Sequence, residues 1–296
     1  MSWKPTGDHE VDERPLKPGR GARGRSGATE AFFRTDGAEQ EPLLVVYHIQ
    51  KTAGTSFRRV VRVNLPPGDV ELVPNLPSAE RTPAGLLVWA GEWYRSLDDD
   101  RRSRLCCVMS HWAGYLLPAL DRPAESLALV REPLDRTLSY YHFKQRRRGP
   151  ERPLEPLERL YERIEDDPSG GSLWRGWEQY ANWQSRCLLA VFHDVSNLPV
   201  TAAQSPDAEL WRERLRELVG RVFVVGVQDR FEEYLAQLAR HYGWKTFVPR
   251  SKVNTGRPAS ADVSPELRET ILAHNWLDQE LHELARRSQE QREGAW

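Results

Sequence analysis

The chain has 296 residues and a formal net charge of −1. Its length suits one large α/β domain or two small ones, and its balanced charge supplies no overall field to draw in nucleic acid or an anionic membrane. The three cysteines, Cys106, Cys107 and Cys187, show no Cys-x-x-Cys or Cys/His spacing, which argues against a disulfide framework or a zinc site and for a reducing compartment.

Residues 1 to 40 are rich in Gly, Pro and charge and offer little to bury, so they are expected to form a disordered leader ahead of a domain over 41–296. They also lack the apolar centre of a secretory signal. No apolar run of the chain approaches the roughly 20 residues that span a bilayer, and a soluble, cytoplasmic protein is expected. "LLVVYHI" (43–49) is short, apolar and β-branched, as a strand covered on both faces should be. "TSFRRVVRV" (55–63) follows with Phe57, Val60 and Val61 at helical spacing. Strand, short turn and helix open a parallel α/β unit. "DVELV" (69–73), "LCCVMSH" (105–111), "SLALVRE" (126–132) and "RVFVVGV" (221–227) read as further strands. Pro133 occupies a helix first turn, and that helix runs through "LDRTLSYYHFKQRRR" to Gly149. Residues 151 to 178 read as helix and then loop. Helices are also predicted over "YANWQSRCLLAVF" (180–192), "RFEEYLAQLARHYGW" (230–244) and, as one or two segments, from Pro265 onward with Ser264 as N-cap. The fold class expected is α/β: a P-loop-like, doubly wound parallel sheet flanked by helices, in one domain with a helical C-terminal part.

The turn "HIQKTAGTS" (48–56) carries the first functional signal. A strand that breaks into a helix presents backbone N–H groups and the positive end of the helix dipole. Gly54 lets the backbone pass close to a ligand, Thr52, Thr55 and Ser56 add hydroxyls, and Lys51 adds a charge. The turn fails the Walker A pattern, because its lysine precedes its glycine and no earlier glycine occurs. Taken alone, it reads either as an oxyanion cradle or as a capped turn with a solvated lysine.

The same stretch resembles the 5′-phosphosulfate loop of sulfotransferases that use 3′-phosphoadenosine 5′-phosphosulfate (PAPS), in particular the carbohydrate branch with the heparan sulfate 6-O- and 2-O-sulfotransferases and bacterial relatives. "LALVREPLDRTLSYYHF" (127–143) is similar to that family's 3′-phosphate motif, "NWQSRCLLA" (182–190) to its N-x-Q-x-R-x-L helix, and "VVGVQDRFEEYLAQLARHYGW" (224–244) to its V-G-[LV]-x-[DE]-x-F strand and helix. The resemblance spans Pro42 to the C-terminus, except residues 150 to 180. It implies PAPS as co-substrate, 3′-phosphoadenosine 5′-phosphate (PAP) as product and no metal. It implies that Lys51, Thr52, Ala53, Gly54, Thr55 and Ser56 bind the phosphosulfate, and that Arg131 and Ser139 hold the 3′-phosphate. Lys51 is also expected to stabilise the leaving phosphate.

His111, closing its strand at the same sheet edge, is expected to be the base, since imidazole titrates near neutrality. Glu92 is the second candidate base, and His48 is expected to buttress the turn. The alternative for His111 is a histidine hydrogen-bonded at a strand end. Asn182, Trp183, Gln184 and Arg186 are candidate substrate contacts. Trp174, Trp177 and Trp183 are either a stacking surface or core. Lys144, Arg146, Arg147, Arg148 and Arg152 are either an acceptor patch or a charged helix end. Lys252 and Arg257 are either phosphate-reaching or solvated. The expected partner is an acceptor hydroxyl, a saccharide being one class among several. Two other functions stay open: a nucleotide-binding P-loop-like kinase, and a PAP-binding protein without catalysis.

Overall fold

The computed structural model describes residues 42–66, 68–73, 82–149, 151–166, 177–202, 206–245 and 263–293. These belong to one unit, Ala38–Trp296; the expected leader, residues 1 to 40, lies outside the described residues. Five strands, β1 (Leu43–Tyr47), β2 (Val70–Leu72), β3 (Cys107–Ser110), β4 (Ala124–Val130) and β5 (Phe223–Val227), form one parallel sheet in the order β2-β3-β1-β4-β5.

Ten α-helices are described: α1 (Gly54–Asn64), α2 (Pro83–Ser96), α3 (Asp99–Arg104), α4 (Pro133–Arg148), α5 (Leu157–Asp166), α6 (Trp183–Leu189), α7 (Ala208–Arg221), α8 (Phe231–Tyr242), α9 (Pro265–His274) and α10 (Trp276–Glu293). Among the described residues no helix is long and apolar enough to cross a membrane. The α/β class expected from the sequence is the one observed. Helices α2, α3 and α7 were not among the predicted elements. The apolar residues of α2 fall on its buried and exposed sides alike, with Leu86 fully buried and Val88 exposed, and this blurs its period. In α7 the spacing Trp211, Leu215, Leu218, Val219 is regular and buried.

Both faces of the sheet are covered. In β1, Leu43, Val45 and Tyr47 enter a core with Tyr115, Leu188, Trp276 and Leu281, while Leu44 and Val46 are buried on the opposite face. There Phe57 of α1 meets Phe231 and Tyr234 at the start of α8. Tyr47 is anchored by its hydroxyl, which donates to the Cys187 carbonyl at 3.0 Å. The chain leaves β1 toward β2 and β3, then crosses back past β1 to reach β4. This reversal of winding places a crevice at the carboxyl ends of β1 and β4, the position where open parallel sheets bind ligands.

A buried polar frame fixes that edge from behind. The Arg131 backbone N–H donates to Gln184 Oε1, and Gln184 Nε2 donates to the Arg131 carbonyl, each at 2.8 Å. The glutamine amide thus stands in for a peptide unit where β4 runs out. Gln289 does the same for β5, accepting from Val227 N at 3.0 Å and donating to Arg230 O at 3.1 Å. Gln184 is held in turn by Asp278 of α10, whose carboxylate accepts from the Gln184 and Ser185 amides at 3.1 and 2.7 Å. Asp278 is fully buried, and burial pushes its carboxyl up while the two amides pull it down.

Asp278→Ala removes both acceptors at once and leaves two buried amides unmet. The variant is expected to lose about 2–5 kcal/mol of stability, read as a fall in the urea midpoint. A loss under about 0.5 kcal/mol, the range of an ordinary surface change, contradicts the frame's importance.

Candidate active site

The register of the sheet assembles the site. Tyr47 pairs with Ser110 across β1 and β3, so His48 and His111 stand next to one another just beyond the paired residues. Tyr47 pairs with Ala128 across β1 and β4, so Arg131, just past the end of β4, lies on the other side of the turn. The turn after β1 therefore lies between His111 on one side and Arg131 on the other. At about 5 Å per strand spacing, the two flanks are about 10 Å apart.

The turn is sharply bent. Lys51 and Ala53 both adopt positive φ, 72° and 66°, a region that costs non-glycine residues. Ala53 is the N-cap of α1 and offers no side chain to the first amides of that helix. A strand edge thus runs into a helix whose leading N–H groups have no side-chain cap. Gly54 is required by space: a Cβ there would lie 1.7 Å from the His48 ring. Thr52 is fully buried and its hydroxyl donates to the Ile49 carbonyl at 2.9 Å. Its side chain braces the turn. Thr55 is exposed, Ser56 and Lys51 are partly so, and the Lys51 ammonium sits 4.3 Å from the Phe143 ring centroid.

His111 is set up by its neighbour. Its Nδ1 lies 2.5 Å from the His48 carbonyl oxygen. A carbonyl only accepts, so Nδ1 carries the proton and Nε2 carries the lone pair. The two rings stack at 4.2 Å with 27° between planes. Burial, His111 and the cations of Arg58 and Lys51 push the His48 imidazole down to about 3. Burial lowers His111 as well, opposed by its hydrogen bond to His48 and assisted by Arg58. Both rings are neutral at pH 7. Glu92, the second candidate base, is exposed on α2.

On the other flank Arg131 is paired with Asp135 through Nη2 at 2.9 Å, and its Nε is buried with no hydrogen-bond partner. Ser139 is buried on α4. Asp135, Ser139 and Phe143 fall at i, i+4 and i+8 on one helix face, so a single stripe joins Arg131 to the ring beneath Lys51. Glu132 caps α4, accepting from Leu134 N at 3.1 Å and Asp135 N at 2.7 Å. Sequence reasoning missed Arg136. It is fully buried, donates to the Gln179 carbonyl and, through Nε at 3.4 Å, to the Gln50 carbonyl of the turn, and lies over the Trp183 ring at 5.6 Å. Its position in "REPLDR", one helical turn after the Glu132 cap, was the available signal.

The expected substrate contacts face inward. Asn182, Trp183, Gln184 and Arg186 are all buried. Asn182 accepts from Leu277 N at 2.8 Å, Gln184 holds Arg131, and Arg186 donates to the Ala181, Val195 and Leu198 carbonyls. They belong to the frame, because a polar side chain excluded from water must spend its hydrogen bonds inside. Trp183 is core. Trp174, the side chain of Trp177, and Lys252 and Arg257 lie outside the described residues. Lys144, Arg146, Arg147, Arg148 and Arg152 form no ion pair among the described residues, and Arg147 stacks 5.7 Å from Phe143. Among the described residues no three His, Cys, Asp or Glu side chains cluster as a metal site would require.

No family model matches the chain, and no curated protein does. Among solved structures, a sulfotransferase from Alicyclobacillus acidocaldarius is similar, at 16% identity and a TM-score of 0.41, over 83% of this chain and 96% of that one. At that identity and score the likeness carries no functional inference.

The neutral imidazoles make stability depend on pH. The unfolded chain protonates these histidines near pH 6.5, whereas folded His48 resists until about 3. Between those values the unfolded state binds more protons, so stability falls as pH drops through the window. Urea midpoints at pH 7.5, 6 and 5 are expected to decline, with a contribution of up to about 1.4 kcal/mol per pH unit from His48, and His48→Asn is expected to flatten the decline. Identical slopes for the two proteins remove His48 as the cause.

Proposed function

We propose that the protein is a PAPS-dependent sulfotransferase that passes a sulfuryl group to an acceptor hydroxyl, a saccharide being one acceptor class. The observation that carries this reading is the arrangement along one sheet edge: a neutral His111 with its Nε2 lone pair free of the His48 bond, the uncapped helix start with Lys51, and the buried Arg131 Nε two strands away. PAPS supplies an activated sulfuryl group and carries anions at both ends, and the cations of Lys51 in the turn and Arg131 on its β4 flank suit that distribution. The amides of Gly54 and Thr55, with Lys51 and the Ser56 hydroxyl, hold the 5′ end; the Ser56 amide is itself bonded to the Ala53 carbonyl at 3.0 Å. Arg131, whose planar fork suits phosphate, and Ser139 hold the 3′-phosphate.

In the transfer His111 Nε2 takes the acceptor proton as the acceptor oxygen forms its bond to sulfur. The bond from sulfur to the bridging phosphate oxygen breaks, and the electron pair leaves on that phosphate. Lys51 and the helix amides stabilise the charge arriving there, as oriented donors do in phosphoryl transfer. The proposed chemistry asks for no metal. Three free thiols, Cys106, Cys107 and Cys187, suit work inside a reducing cytoplasm.

Calorimetry with PAP and with ATP tests the nucleotide. PAP is expected to bind and ATP to bind more weakly; a preference for ATP favours a kinase and overturns the proposal. Lys51→Ala should weaken PAP binding. His111→Ala should leave PAP binding intact and lower turnover with sulfur-labelled PAPS by about 10²–10⁴-fold. Unchanged turnover removes His111 as the base.

A further inference from the structure

Arg58 is a charged residue of this edge that the proposed chemistry does not use. It lies on α1 four residues after Gly54, so the two share a helix face. That face at Gly54 is covered by the His48 ring, which in turn stacks on His111. One turn further along lies the partly buried Arg58, whose charge is felt by both imidazoles of this pair. Among the described residues it forms no hydrogen bond and no ion pair. Some arginines of the chain are matched, Arg101 with Glu71, Arg216 with Glu209 and Glu280, Arg286 with Glu283 and Glu290, whereas Arg146, Arg147, Arg148 and Arg152 form no ion pair among the described residues but lie at the end of a surface helix or just past it. A guanidinium drawn partly out of water without a counter-charge is costly unless something else meets it.

The sheet order decides what meets it. A nucleotide lying from the turn toward Arg131 occupies the β4 side. His111 and its neighbours lie on the β3 side, where the acceptor hydroxyl must approach Nε2. We infer that Arg58 is a specificity residue that clamps an anionic group, carboxylate, sulfate or phosphate, carried by the acceptor beside the hydroxyl that His111 deprotonates. This rests on the PAPS reading of the turn, and its test separates the two.

Binding to the PAP complex is measured by calorimetry with matched probes: 4-nitrophenyl β-glucuronide against 4-nitrophenyl β-glucoside, and 4-hydroxyphenylacetate against its methyl ester. In at least one pair the charged member is expected to bind about tenfold tighter, the worth of one charge-assisted contact. Arg58→Gln should erase that difference and Arg58→Lys should keep part of it, both with an unchanged thermal midpoint and an unchanged PAP affinity. Equal binding of charged and neutral members, no binding by either charged member, or a loss of PAP affinity in Arg58→Gln matching the loss for the charged probe each overturns the inference. Should PAP fail to bind the wild-type chain, the nucleotide reading falls on its own. The charged probes are then titrated without nucleotide, where Arg58-dependent binding supports the anion clamp and its absence overturns it.

Discussion

The candidate site depends on a short stretch of backbone held where L-residues prefer not to be. Lys51 and Ala53 at positive φ cost on the order of 1–3 kcal/mol each, and glycine at both positions would relieve that cost. The strain persists because the surroundings over-determine the turn. Thr52 ties it to Ile49, Arg136 reaches its Gln50 carbonyl, and the His48 ring closes over Gly54 with no room for a side chain. The benefit of a rigid turn is that the first amides of α1 and the Lys51 ammonium stay oriented. Donors that need no reorganisation are worth more to a developing charge than mobile ones.

The same turn sets the chemistry of His111. Its tautomer follows from one backbone acceptor, the His48 carbonyl, and that carbonyl is placed by the parallel register of β1 and β3. Nearby cations then act in a useful direction. Burial does most to lower both imidazoles, and the cations act the same way, Arg58 and Lys51 on His48 and Arg58 on His111, so the rings stay neutral while the edge as a whole remains attractive to anions. A base must be unprotonated before its substrate arrives, and in the proposed role of His111 burial first, and Arg58 with it, favour that state.

Much of this was legible in the sequence, for identifiable reasons. β1, β4 and β5 are buried on both faces and read as continuous apolar runs, and Gly54 and Lys51 mark the break between strand and helix. What the sequence concealed was the use of polar residues. Asn182, Gln184 and Arg186 look like ligand contacts when the helix is read alone, because nothing local explains three polar side chains in an apolar segment. Their partners, Leu277, Asp278, Arg131 and the Val195 and Leu198 carbonyls, are distant or belong to loops. Arg136 escaped notice for the same reason, since its acceptors Gln50 and Gln179 are 86 and 43 residues away. Internal hydrogen-bond partners, which a motif does not encode, mark these side chains as parts of the frame.

The two flanks of the turn are built to different standards, and the difference follows from what each must do. On the Arg131 side every neighbour is clamped: the strand end by Gln184, the helix start by Glu132, and the guanidinium by Asp135. Such a frame, carried back through Asp278 to α10, suits a ligand that never changes. On the His111 side the fixed parts are the ring and its carbonyl, while Arg58 and Thr55 stand without such restraint. The proposed transfer, with one donor and a variable acceptor, suits this asymmetry. Under the proposed transfer, rigidity on the Arg131 side fixes the reacting centre, and the partly buried Arg58 on the other side lets substitutions on α1 redefine the acceptor without disturbing the buried polar frame that holds the sheet edge.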